Sequence, residues 1–122
     1  MTLERQAAGK TGEDLAVAEL ERRGYAVLAR RYRSRHGEID IVCNHRGTIV
    51  FVEVKARATG EFGAAAEAVT PGKQRRVVAM ARDFLARHNL DASPCRFDVV
   101  AIDDAASAPR VTVFQGAFDA SG

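Results

Sequence analysis

The chain predicts a single α/β domain with the order helix, three strands, helix, strand. Two observations carry this. Apolar residues recur at helical spacing in two stretches, Ala16-Val17-Leu20 and Val77-Val78-Ala81-Phe84-Leu85. Between them lie two runs of strand formers, Gly37–Val42 and Ile49–Lys55, separated by Asn44-His45-Arg46-Gly47, which has the composition of a hairpin turn. With 122 residues, 47% of them hydrophobic and 28% charged, the chain is long enough for one real core and too apolar to be disordered. No linker, repeat or low-complexity tract divides it, so residues 1–122 are read as one domain.

Taken in order, residues 1–10 read as a loose N-terminus. Thr11 reads as a helix N-cap, with Asp14 in the capping-box position, and Gly24 ends that helix after about Arg23. Glu13 lies three and four residues before Ala16 and Val17, so it extends the apolar stripe toward whatever the helix packs on; it also suits a first-turn acid favoured by the helix dipole. Tyr25 to Arg33 reads as a first strand, and the two acid-bearing strands follow. Arg57 to Thr70, rich in Gly and Ala, reads as a loop. Thr70-Pro71 is a helix start, a cap followed by proline in the first turn. In that helix, which runs to about His88, Gln74 falls on the stripe, Lys73 borders it, and Arg75, Arg76 and Arg82 lie off it. Asn89–Pro94 is a loop, Arg96–Ile102 a strand, and Val111–Phe114 a last short one.

The acids inside the strands are the chemical signal. Asp40 sits between Ile39 and Ile41, and Glu53 between Val52 and Val54. Burying an unpaired carboxylate costs several kcal/mol, so such placement calls for a compensating charge, and a bound cation is the first candidate. Glu53 and Lys55 share a strand face. If the hairpin loop is only Arg46-Gly47, His45 pairs with Thr48 and the same register sets Asp40 opposite Glu53, with Cβ atoms about 4.5–5.5 Å apart; a longer loop would shift that register. Carboxylates that close repel, and one pKa rises unless a cation sits between them. A solvated hairpin face would also tolerate Asp, Glu and Lys. Yet Ile49 and Phe51 share the face of Glu53, which suits a site at a strand end better than a wet surface.

The formal net charge is +2 and the pI about 8.8, but the basic residues are clustered. Arg22, Arg23, Arg30, Arg31, Arg33 and Arg35 crowd the region before the first acidic strand, and Lys73, Arg75 and Arg76 open the second helix. That pattern fits a polyanionic partner. Cys43 and Cys95 lack metal or redox spacing, and His36, His45 and His88 lack zinc-ligand spacing. No stretch is apolar enough to span a bilayer, and the N-terminus lacks the apolar segment of a signal peptide, so a cytoplasmic protein without a membrane partner is expected.

Several blocks together resemble the YraN-like family of predicted endonucleases within the PD-(D/E)XK nuclease superfamily. They are Gly9-x-x-Gly12-Glu13, Arg33-x-x-x-Gly37-Glu38-Ile39-Asp40, Phe51-Val52-Glu53-Val54-Lys55-Ala56-Arg57, Glu67-Ala68-Val69 with Lys73-Gln74-Arg75, and Arg96-Phe97-Asp98-Val99. The resemblance implies a restriction-endonuclease-like αβββαβ core, a mixed central sheet flanked by helices. It implies that Asp40, Glu53, the Val54 carbonyl and Glu13 hold a metal. Lys55 would activate water, and Gln74 would join the site from the second helix. Arg33, Arg57, Lys73, Arg75 and Arg76 would contact nucleic acid. Two positions depart from the pattern: Ile39 stands where proline is common in the superfamily, and Arg31 where many YraN-like chains would have asparagine.

Oxygen ligands select a hard cation, Mg²⁺ or Mn²⁺, over Zn²⁺. The expected function is therefore metal-dependent hydrolysis of nucleic acid, most naturally DNA, in branched or single-stranded form. The alternative is a non-catalytic nucleic-acid-binding protein that keeps the nuclease fold. A purely structural role, with the acids in salt bridges, is a third reading. A homodimer is compatible with this size, since one site cuts one strand.

Overall fold

In the computed structural model, the described residues are 3–58, 69–104 and 109–120. They form α1 (Leu3–Arg22), β1 (Ala26–Ser34), β2 (Gly37–His45), β3 (Thr48–Ala58), α2 (Pro71–Arg87), β4 (Cys95–Asp104) and β5 (Arg110–Phe118). The strands make one mixed sheet in sequence order, antiparallel throughout except for the parallel pair β3–β4. Helix α2 is the crossover that a parallel pair requires. Elements α1 to β4 are thus the αβββαβ core expected from the sequence, with β5 added at the edge.

Strand alternation sorts the core onto two faces. Val50, Val52 and Val100 pack with Ala16 and Leu20 of α1. Phe51 and Phe97 pack with Val77, Ala81, Phe84 and Leu85 of α2. The second stripe read from the sequence is buried, with Met80 joining it, and in the first Ala16 and Leu20 are buried while Val17 is partly so. Thr70 caps α2 as expected, its hydroxyl accepting from Lys73 N at 3.2 Å.

The first helix differs from expectation. It begins at Leu3, so residues expected to be loose are helical and Thr11 lies inside the helix rather than capping it. Leu3 to Ala8 are mostly strong helix formers, and this offsets Gly9 and Gly12, each about 1 kcal/mol worse than alanine in a helix. At the other end of the core, β3 continues through Arg57 and Ala58, held by parallel pairing to Asp103 and Asp104. The rest of the expected loop, 59–68, lies outside the described residues. Strand β5 runs on to Phe118, beyond the expected Val111–Phe114.

Asp98 is a buried charge of another kind. It is fully buried on β4 yet fully served: Tyr25 Oη donates to Oδ2 at 2.8 Å, Arg96 Nε to Oδ1 at 2.8 Å, and Gly116 N to Oδ1 at 3.0 Å. Gly116 reaches it from a bulge in β5, at a φ of 61° that favours glycine. His45 stacks on Tyr25 at 4.1 Å and bonds Arg96 at 3.1 Å. This network ties the start of β1 to β4 and β5. Removing the acid strands the half-buried Arg96 guanidinium, so Asp98→Ala is expected to cost about 3–5 kcal/mol of unfolding free energy in urea. A loss below about 1 kcal/mol would mean that Arg96 simply swings into water.

Candidate active site

The tight hairpin sets the register. Arg46 and Gly47 both have positive φ, 54° and 90°, the signature of a two-residue type I′ turn. His45 pairs with Thr48, and the ladder runs to Ile41–Val52. One step further, where Asp40 would face Glu53, the backbone pairing stops. Asp40 Oδ2 instead accepts from Val54 N at 2.7 Å, a side-chain oxygen standing in for a ladder carbonyl. Strand alternation breaks at the same point. Ile39 packs with the α2 cluster and Ile41 with the α1 cluster, although residues two apart in a regular strand share a face. The pairing of β1 with β2 sets Arg31 opposite this break, and Arg31 has a φ of 54°. Asparagine adopts that left-handed conformation more readily than arginine, which accounts for the asparagine expected there.

The strand ends and the start of α2 enclose a cavity of about 450 Å³, lined by Asp40, Glu53, Val54, Lys55, Val69, Thr70, Lys73 and Arg76. Glu53 is the buried member, its side chain only 8% exposed. Lys73 Nζ lies 3.6 Å from Oε2, while Oε1 is buried with no hydrogen-bond partner among the described residues. Burial, then the charge of Asp40, push the Glu53 carboxyl up to about 7, and Lys73 only partly opposes them. Burial also raises Asp40, against the Val54 N–H and the Lys73 charge, while Glu13 and Glu38 push it further up. Such an acid pair carries a charge that a cation could offset. Among the described residues no group of three or more His, Cys, Asp or Glu is arranged to hold a metal, so any ion here would draw its remaining oxygens from Val54, water or a bound phosphate.

The remaining expected site residues divide. Lys55 lines the cavity as read from the sequence. Glu13 does not line it. Burial works to raise its pKa, but Arg30 and Arg31, each bonding it at 2.9 Å, outweigh that and lower it. The left-handed turn at Arg31 lets two successive side chains reach one carboxylate, which a flat strand forbids. Gln74 is likewise not among the lining residues. Its Nε2 donates to Val69 O at 2.9 Å, and it lines a second cavity of about 300 Å³ with Arg75 and Arg82. Arg33 is highly exposed and paired with Glu38 at 2.9 Å. The side chain of Arg57 lies outside the described residues. Lys73, read from the sequence only as a nucleic-acid contact, is the cation paired with Glu53 among the described residues. Its signal was its place at the edge of the α2 stripe, in the first turn after the cap.

Comparison with known proteins identifies the chain's relatives. The family described as "Uncharacterised protein family UPF0102" matches residues 12–102. A UPF0102 protein of Ralstonia pickettii is 54% identical over 103 residues, covering 81% of this chain and 82% of the relative. One from Anaeromyxobacter dehalogenans is 47% identical over 118 residues, covering 97% and 88%. Another, from Syntrophotalea carbinolica, is 41% identical over 122 residues, covering 100% and 99%. Among solved structures, SfsA of Pyrococcus furiosus in complex with Ca²⁺ is similar at a TM-score of 0.41 and 16% identity, covering 91% of this chain and 63% of that one.

Proposed function

The chain belongs to the UPF0102 family, and we propose that it is a Mg²⁺- or Mn²⁺-dependent nuclease that hydrolyses phosphodiester bonds of nucleic acid, DNA in the first instance. The observation that carries this reading is Glu53 Oε1, a buried carboxylate oxygen without a partner among the described residues, beside a second acid, Asp40, in an open cavity with basic walls. Native proteins rarely leave such an oxygen unserved. The donor set fits a hard cation: Mg²⁺ typically takes one or two carboxylates and completes its shell with water and substrate phosphate. When bound, such an ion would lower the pKa of water and offset the charge of the transferring phosphoryl group.

The chain's own residues supply the rest. Asp40 and Glu53 would hold the ion, with the Val54 carbonyl beside them. The Val54 N–H fixes Asp40 in its orientation. Lys55 would steady the water that attacks phosphorus and the charge that develops there. Arg76 and the capped start of α2 would receive the phosphate backbone by charge and dipole. Arg75, around the helix from Arg76, and Arg33 would extend that contact along the strand. A nucleic-acid binder without catalysis gains nothing from two half-neutralised acids facing a polyanion.

The test is calorimetry with Mn²⁺ followed by cleavage of linear, nicked, flapped and four-way DNA and single-stranded RNA. The wild type is expected to bind the ion at millimolar concentration or tighter, gain thermal stability from it and cut at least one substrate. The double variant Asp40→Ala, Glu53→Ala should lose all three. A wild type that binds no divalent ion would end the nuclease reading.

A further inference from the structure

Lys73 does more at this site than a backbone contact requires. Its ammonium is the counter-charge paired with Glu53 among the described residues, but the contact is loose. At 3.6 Å it is well beyond the 2.7–2.9 Å of a good charge-assisted bond, and the lysine remains 39% exposed where its partner is 8% exposed. One oxygen of Glu53 is left unserved. The Lys73 charge acts on both carboxylates, yet burial and neighbouring acids still hold both up, so the pair stays undercompensated. The backbone of Lys73, in contrast, is fixed, because its N–H is bonded to the Thr70 cap. A tethered base with a long mobile stem can leave one oxygen and still remain within the same cavity. Arg76, one turn on, lines that cavity too.

We propose that Lys73 is an exchangeable counter-ion: it occupies the acid pair until a divalent cation displaces it, and the released ammonium then grips the phosphate of bound nucleic acid. This rests on the nuclease reading above and adds to it a residue that couples metal loading to substrate binding. Lys55, on β3, would keep the chemistry, while Lys73, on α2, would set the order in which charges enter.

The two roles make opposite demands on one substitution. Without nucleic acid, Lys73 competes with the metal. Lys73→Met and Lys73→Gln should therefore bind Mn²⁺ roughly three- to tenfold more tightly than the wild type by calorimetry, the scale of removing one partly screened charge near the site. Lys73→Arg, which keeps the charge, should bind near the wild-type level. With Ca²⁺ present, the affinity of the Met and Gln variants for labelled duplex DNA should fall severalfold, and the slope of log affinity against log salt should shrink by about one. The two neutral variants are read together so that an apolar misfit of methionine does not decide the outcome, and thermal melts in EDTA check that each is folded. If the wild type binds Mn²⁺ and the neutral variants bind it no tighter, the counter-ion role is wrong while the nuclease reading stands. If the wild type binds no Mn²⁺, the nuclease reading itself has failed. Tighter metal binding with unchanged DNA affinity and slope would overturn the grip on phosphate.

Discussion

Lys55→Ala is expected to reduce cleavage by roughly a hundredfold to a thousandfold, the range seen when one donor that stabilises transition-state charge is removed. The residue lines the acid cavity on the same strand as Glu53, two positions on, and so faces the same side of the sheet. In the proposed mechanism it is not a metal ligand. Mn²⁺ affinity should therefore stay at the wild-type level or rise slightly, because one competing positive charge is gone. Nucleic-acid affinity should fall little, since Lys73 and Arg76 line the same cavity. The loss thus appears in kcat rather than in binding, as expected of an interaction made mainly in the transition state. Lys55→Met keeps most of the apolar stem and removes only the charge, so it should be as slow as Lys55→Ala. If both variants cut at the wild-type rate, Lys55 has no catalytic role. If both unfold, its work was structural.

How much of this was legible in the sequence depends on the kind of signal. The helix stripes and the Thr70-Pro71 cap are local patterns, and the structure keeps them. The register of β2 on β3 followed from a two-residue turn, because Arg46-Gly47 leaves little freedom in how the strands meet, although the pairing stops one step short of Asp40 and Glu53. The start of α1 was misread because Thr11 and Asp14 look like a cap, while the helix-forming run before them outweighs two glycines. The break at Asp40 and the left-handed Arg31 were not legible. They arise only where β1, β2 and β3 meet, and no residue announces them except the missing asparagine. Gln74 and Glu13 lay on the predicted stripes, yet both are engaged elsewhere, Gln74 by the Val69 carbonyl and Glu13 by two arginines. Periodicity tells which way a side chain leaves its helix, but not which partner claims its last polar atom. Asp98 shows the same limit. Its place inside a strand resembles that of Glu53, but Tyr25, Arg96 and Gly116 satisfy it completely. Two buried acids therefore have opposite meanings, set by partners distant in sequence.

That contrast gives the second large effect, a pH dependence carried by Glu53. A carboxyl held at about 7 in the folded chain, against its ordinary 4.5, binds its proton more tightly folded than unfolded. Its contribution to stability is therefore complete below about 4.5, declines as pH rises through about 7, and is gone above that. The decline amounts to about 3 kcal/mol. In EDTA the wild-type melting temperature should thus fall between pH 5 and pH 8, with Asp40 adding in the same direction because its pKa is also raised. His45 acts the other way, since burial and the Arg96 charge lower it, so stability from that group grows as pH rises through its range. Glu13, held low by its arginines, responds only at more acid pH. Glu53→Gln keeps the shape and removes the titration, and the difference between variant and wild type cancels the contributions of His45 and Glu13. At pH 8 in EDTA the variant is expected to melt roughly 10 °C above the wild type, and at pH 5 at about the same temperature. Mn²⁺ should close most of that gap at pH 8. At a hundred times its dissociation constant it adds about 2.7 kcal/mol to the wild type and nothing to a variant that has lost the ligand. A wild type whose melting curve ignores both pH and Mn²⁺ would mean that Glu53 is compensated within the chain, by Lys73 alone, and that no cation is needed there.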